Sequence, residues 1–166
     1  MYKMKIEDIY NIYIKCKNIS TDTRQIIPHC LFFCLKGDNF DGNSFAQEAL
    51  LKGADFAVID NADYYIEGKT ILVENVLQTL QELATYHREK LQIPIIGITG
   101  TNGKTTTKEL LSAVLSRKFK VCATKGNLNN HIGVPLTLLS IASDDEIAIV
   151  EMGANHCGEI AQLCTF

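Results

Sequence analysis

Apolar residues recur along the chain in two rhythms, and each predicts a different element. Ile6, Ile9, Tyr10 and Tyr13 fall three and four apart, one face of a 3.6-residue turn, so residues 5–14 are expected to form a short amphipathic helix. A polar cluster, Ser20-Thr21-Asp22-Thr23-Arg24, then precedes Ile26-Ile27-Pro28 and a continuous apolar run at 31–35 that predicts a buried strand. The run ends in Lys36-Gly37-Asp38-Asn39-Phe40-Asp41-Gly42, a turn by composition. Asn43 or Ser44 is expected to cap the next helix, with Phe45, Ala46, Ala49 and Leu50 on its apolar face and Gly53 as its stop. Short buried strands follow at 56–59 and 70–73. Asn75 then begins a longer helix to about residue 91, striped by Leu77, Leu80, Ala84 and Leu91.

Gln92-Ile93-Pro94 is the natural boundary, because proline turns its predecessor away from helix and a new strand, 95–98, follows at once. Two domains are expected, 1–92 and 93–166. In the second, glycine-punctuated chain leads to a helix over 108–118, a strand at 120–123, a helix opened by Pro135 through Leu136, Leu139 and Ser140, a strand at 147–150 delivering Glu151, and a last helix over 158–163. The class is α/β: a small front domain, then the beginning of a parallel-sheet domain. Three strands are fewer than such a sheet normally holds, so the chain is expected to be the N-terminal part of a longer polypeptide.

Composition narrows the function classes. With 46% hydrophobic and 21% charged residues the 166-residue chain can bury one or two modest cores, and its net charge of -3 gives no basic surface for nucleic acid. No apolar run approaches membrane-spanning length, and Met1 to Lys5 leads into Glu7 and Asp8 instead of an export core, so a cytoplasmic protein is expected. The six cysteines contain no Cys-x-x-Cys pair and sit mostly in apolar settings such as 30–35; they are expected to be reduced and mostly buried, not zinc ligands.

The chemistry concentrates after the strand at 95–98. Thr99-Gly100-Thr101-Asn102-Gly103-Lys104-Thr105-Thr106 joins a buried-type strand to a helix start. Glycines let backbone N–H groups converge on an anion, the helix start adds its positive dipole end, a lysine reaches the outer phosphates, and a threonine hydroxyl can ligate Mg²⁺. The spacing departs from the strict Walker pattern, since Ile98 stands five before Gly103. A plain strand-to-helix turn relieved by glycine is the alternative. Gly-Lys-Thr after such a strand favours a nucleotide triphosphate socket built from Gly100, Thr101, Asn102, Gly103, Lys104, Thr105 and Thr106. Glu151, at the carboxyl end of another parallel strand, is expected to share the metal with Thr105 and to act with Lys104 as the catalytic pair. The loop 124–135 offers amides, Asn127 and Asn130 among them, to a polar substrate, and Asn155 and His156 bring similar groups from the stretch after Glu151.

These segments resemble the Mur ligases. The resemblance is carried by the loop above, by Lys125-Gly126-Asn127-Leu128-Asn129-Asn130-His131-Ile132-Gly133-Val134-Pro135, and by Glu151-Met152-Gly153-Ala154-Asn155-His156-Cys157-Gly158-Glu159-Ile160. The last two are similar to the branch that adds D-alanyl-D-alanine to UDP-N-acetylmuramoyl-tripeptide. It implies that the front domain binds the UDP end of that substrate through Asp22, Thr23, Arg24, Lys36, Gly37, Phe40, Asp41 and Gly42. It also implies a P-loop ATPase domain, ATP and Mg²⁺ as cofactors, and an acyl-phosphate route to the new amide. His29 stands where the family often has glycine. A carbamylated lysine, a second-metal histidine and an amine-binding domain would lie beyond Phe166, so these residues alone are expected to be inactive, and a monomer is expected. A ligase adding one amino acid to the shorter muramoyl peptide, a folate-polyglutamating ligase, or a nucleotide-binding module without catalysis are the other readings.

Overall fold

The computed structural model describes residues 4–16 and 18–166. It divides into two compact units, Met1–Leu83 and Ala84–Phe166, the division falling inside a helix. The first unit holds α1 (Ile6–Cys16), β1 (Asn18–Ser20), β2 (Cys30–Phe33), α2 (Ala46–Leu51), β3 (Phe56–Ile59), β4 (Thr70–Leu72) and the start of α3 (Val76–Lys90). Its four strands pair in chain order, all parallel. A parallel sheet is covered on both faces, and every residue of β2 is buried. Cys30, Phe32, Cys34, Ala57 and Ile59 meet Ala46 and Ala49 of α2 on one face. The pleat sends Leu31 and Phe33 to the other, where α1 packs against β2.

Several local expectations change. The helix at 5–14 extends to Cys16. β1 lies where no element is expected and ends at Ser20, the first residue of the polar cluster; with three residues it has no legible alternation. α2 starts after Phe45 with no side-chain cap; Asp41 caps the tight turn over Gly42–Phe45 that precedes it, its carboxylate accepting the Asn43 N–H at 2.9 Å. Neither Asn43 nor Ser44 therefore caps α2: the Ser44 hydroxyl donates to the Asp41 carbonyl at 2.7 Å, and Asn43 is fully buried. Asn75 does start α3, accepting the Gln78 N–H at 2.8 Å. His29 adopts φ 62, the left-handed region that glycine enters without strain. That is a physical reason for glycine at this turn.

The second unit contains the rest of α3, β5 (Ile95–Ile98), α4 (Lys104–Leu115), β6 (Val121–Ala123), α5 (Gly133–Leu139), β7 (Ile147–Glu151) and α6 (Glu159–Leu163). The strand order is β5-β7-β6, again all parallel. The helix after the glycine loop starts at Lys104, four residues before the expected 108, because Gly103 takes φ 79 and turns the chain directly into it. Pro135 is the third residue of α5, not the first; Asn130 opens that helix by accepting the Ile132 and Gly133 N–H groups at 3.1 and 2.9 Å. Among the cysteines, all free, Cys16, Cys30 and Cys34 are buried, but Cys157 and Cys164 are exposed, fewer inside than expected. No helix among the described residues is long and apolar enough to cross a membrane.

Candidate functional site

The register of the second sheet creates the site. Ile98, the last residue of β5, pairs with Glu151, the last of β7, so the loop leaving one strand and the carboxylate ending its neighbour share the carboxyl edge. Gly100 and Gly103 both have positive φ, 146 and 79, which bends residues 99–103 back over the start of α4. Lys104 Nζ donates to the Gly100 carbonyl at 2.7 Å, so the lysine arches across its own loop. The N–H groups of Lys104, Thr105 and Thr106 occupy the first turn of α4, where an intrahelical carbonyl does not reach them. Gly100, Thr101, Asn102, Gly103, Thr105 and Thr106 are all exposed, Lys104 half-buried.

Glu151 is nearly inaccessible, at 2%. Thr105 Oγ1 donates to its Oε1 at 3.2 Å, and Asn129 Nδ2 donates to the same oxygen at 2.9 Å. Its backbone N–H is held by Thr124 Oγ1 at 2.9 Å. The other oxygen, Oε2, is buried without a hydrogen-bond donor among the described residues, and lies 3.7 Å from Lys108 Nζ. That separation is an ion pair but not a hydrogen bond. Lys108 is itself 1% exposed and donates to the Thr124 carbonyl at 2.8 Å. Thr105 and Glu151 are expected at the site from the sequence; Lys108, Thr124 and Asn129 are not. The available signal for Lys108 was its spacing: four residues after Lys104, on the same helical face.

The two asparagine-bearing loops serve partly as scaffolding. Asn127 is exposed on the turn after β6, whereas the Asn130 side-chain oxygen caps α5. A Cβ on Gly133 would lie 2.3 Å from the Leu128 backbone, so this loop closes tightly against its own helix. After β7, the N–H groups of Asn155 and His156 both donate to Glu159 Oε2, at 2.6 and 3.1 Å, and those backbone hydrogen bonds hold the Glu159 carboxyl below its usual range. The Asn155 and His156 side chains stay exposed.

The first unit gathers its predicted residues in two places. After β1, Asp22 caps a turn over Thr23–Gln25 and is gripped by Arg24, Nε to Oδ1 at 2.9 Å and Nη2 to Oδ2 at 2.7 Å. The Arg24 hydrogen bonds hold the Asp22 carboxyl down at about 2. The Thr23 carbonyl accepts from Lys52 Nζ at 2.9 Å. After β2, Gly37 and Phe40 bridge in a tight hairpin that leaves the Phe40 ring 56% exposed. Lys36 pairs with Asp60 Oδ1 at 2.7 Å, and Asn43 joins the carboxylates of Asp41 and Asp60 at 2.6 and 2.8 Å. Asp60 also receives the Val76 N–H at the start of α3, 3.3 Å away. Burial of Asp60 works against its charge, but Lys36, Asn43 and Val76 together outweigh it and lower its pKa. Gly42 sits where a Cβ would come within 2.0 Å of the Leu35 carbonyl oxygen. Asn43 and Asp60 were not among the expected site residues.

Comparison with known proteins places both units. The family model described as Mur ligase family, catalytic domain matches residues 15–96, and the Mur ligase middle domain matches 98–166. The chain is 47% identical over 153 residues to the UDP-N-acetylmuramoyl-tripeptide--D-alanyl-D-alanine ligase of Synechocystis sp., covering 90% of this chain and 34% of that protein. It is 44% identical to the Bacillus subtilis enzyme of the same name, covering 86% and 32%. Among solved structures it resembles MurF from Acinetobacter baumannii with a TM-score of 0.79 at 36% identity, covering 88% of this chain and 32% of that one. It resembles the Thermotoga maritima MurF ligase in complex with ADP with a TM-score of 0.76 at 34% identity, covering 89% and 34%. The chain thus spans about a third of the length of the curated relatives it matches. With a family model on each unit and this likeness of sequence and fold, the chain belongs to the Mur ligase family.

Proposed function

We propose that the polypeptide carrying this chain is an ATP-dependent ligase that joins D-alanyl-D-alanine to UDP-N-acetylmuramoyl-tripeptide. The single observation that carries the reading is the in-register pairing of Ile98 with Glu151, which sets a glycine-lysine-threonine loop beside a buried carboxylate. The relatives named above share the front and middle portions. In this proposal residues 1–92 receive the UDP end of the substrate through Asp22, Thr23, Arg24, Lys36, Gly37, Phe40, Asp41 and Gly42, and 93–166 begin the ATP domain.

The donor set suits magnesium with phosphates. Among the described residues no three His, Cys, Asp or Glu converge on one point, so an all-protein metal cage is not built here. One hydroxyl and one carboxylate, 3.2 Å apart, are what Mg²⁺ takes from protein when phosphate oxygens and water complete its octahedron. Thr105 and Glu151 would hold it, and it would supply positive charge at the phosphates. Lys104 and the first-turn amides of α4 would bind and orient those phosphates. A tripeptide carboxylate oxygen attacks the γ-phosphorus, with ADP leaving, to give the acyl phosphate. The dipeptide amine attacks the acyl carbon, loses a proton, and inorganic phosphate departs with the former carboxylate oxygen. Asn127, Asn130, Asn155 and His156 sit on loops beside the carboxyl edge, where side-chain amides and an imidazole would position that substrate.

The test is phosphate release by the full polypeptide. Turnover is expected with ATP, UDP-N-acetylmuramoyl-tripeptide and D-alanyl-D-alanine together. Turnover only with the dipeptide substrate and a single amino acid would move the assignment to the neighbouring step, and nucleotide binding without turnover on any pair would remove the ligase reading.

A further inference from the structure

A lysine buried to 1% beside a carboxylate buried to 2% needs a reason, because removing either charge from water is costly unless the pair, and the hydrogen bonds around it, compensate. Lys108 has three oxygen neighbours: the Thr124 carbonyl at 2.8 Å, Glu109 Oε1 at 3.0 Å and Glu151 Oε2 at 3.7 Å. Glu109 is largely in water, its side chain 68% exposed, so its charge is already screened. Glu151 is 2% exposed, and among the described residues no cation other than Lys108 lies within ion-pair reach of it. Its two oxygens are used differently: Oε1 takes the Thr105 hydroxyl and the Asn129 amide, while Oε2 has, among the described residues, no hydrogen-bond donor and the Lys108 ammonium at 3.7 Å.

We propose that Lys108 is the resident counter-ion of Glu151: its ammonium holds Oε2 from within the protein, and so fixes the carboxylate with Oε1 turned to Thr105, where a divalent cation would be received. Lys108 is thereby a positioning residue. The Thr124 carbonyl anchors its ammonium, and the Thr124 hydroxyl anchors the Glu151 backbone, so β6, β7 and α4 set the distance jointly. The bare site then never exposes an uncompensated buried carboxylate, and arrival of a cation changes the partners of one oxygen only. This inference rests on the reading of Glu151 as a metal-holding residue.

A thermal double-mutant cycle on the full polypeptide separates the two claims. Melting is followed with EDTA, with ADP and EDTA, and with ADP and Mg²⁺, for wild type, Lys108→Met, Lys108→Arg, Glu151→Gln, and the double variant Lys108→Met/Glu151→Gln. In EDTA the Lys108→Met protein is expected to melt roughly 6–12 °C lower, as for one charge left alone in the interior. The double variant is expected to recover most of that loss, and Lys108→Arg to keep its charge and much of its stability. The extra stabilisation that Mg²⁺ adds to ADP should be larger in Lys108→Met than in wild type, because the cation then supplies the missing counter-charge. A packing role alone would give equal losses with and without Mg²⁺ and no recovery in the double variant, and either result overturns the proposal. If Glu151→Gln leaves the Mg²⁺ increment unchanged while the cycle still shows coupling, the metal reading fails and only the ion pair stands, which likewise overturns the cation-receiving role.

Discussion

In the first unit at least one partner of each charged pair stands in water: the Arg24 side chain is 85% exposed where it grips Asp22, and Lys36 is 49% exposed where it meets Asp60, itself 8% exposed. In the second, Lys108 and Glu151 are 1% and 2% exposed. The first arrangement ties exposed loops into shape at small cost, and leaves donors and the Phe40 side chain at the surface. The second fixes one carboxylate in a dry setting where its Coulomb interactions are strong and any mismatch is expensive. A substrate segment that must accept a large flexible ligand suits the first arrangement. A phosphate-transfer centre, where charge must be placed before reaction, suits the second.

Breaking the buried pair should have the largest effect. Glu151→Ala strands Lys108 in the interior and is expected to cost about 3–5 kcal/mol of stability in chemical denaturation, and to abolish phosphate release. A loss below about 1 kcal/mol would mean that water already reaches this pair. In the first unit Asp60→Ala removes the partner of Lys36, one acceptor of buried Asn43, and the Val76 N–H contact. Because Asn43 keeps Asp41, the expected loss is smaller, about 1–3 kcal/mol, and should appear in unfolding of this unit. If Asp60→Ala costs as much as Glu151→Ala, the contrast between the two units is wrong.

How much of this was legible follows the same division. β5, the Asn75 cap and the delivery of Glu151 at a strand end could be read because continuous apolar runs and a capping residue mark them in one dimension. The in-register approach of Ile98 and Glu151 was anticipated only as neighbouring strands, since pairing joins residues 53 positions apart. The spacing of Lys108 from Lys104 is too weak a signal by itself, because a lysine in a helix ordinarily faces solvent; only the fold puts a carbonyl and a carboxylate at its tip. Asn43 suits a cap by residue type, but a tight turn capped by Asp41 leads into α2 and leaves α2 without a side-chain cap, while Asn43 bridges to Asp60. β1 carries three residues, too few for period two to emerge.

The smallest expected effect sharpens the exposed side of the comparison. The Asp22 pKa is lowered from its ordinary 3.8 to about 2, first by the Arg24 side-chain bonds and then by the Arg24 N–H. A carboxyl whose folded pKa lies below its unfolded one binds protons more weakly when folded, so its contribution is fully present above about pH 4 and fades as pH falls toward about 2. With Arg24 85% exposed, solvent screening limits that contribution to below about 1 kcal/mol. Chemical denaturation of wild type and Asp22→Asn should therefore differ by a few tenths of a kcal/mol at pH 6, a gap that closes by pH 2 and narrows in high salt. The difference between the two proteins removes every other titrating carboxylate from the comparison. A gap that persists unchanged to pH 2 would assign it to the turn geometry at Thr23–Gln25 and not to the Arg24 pair, and the first unit would then hold this loop by backbone conformation instead of charge.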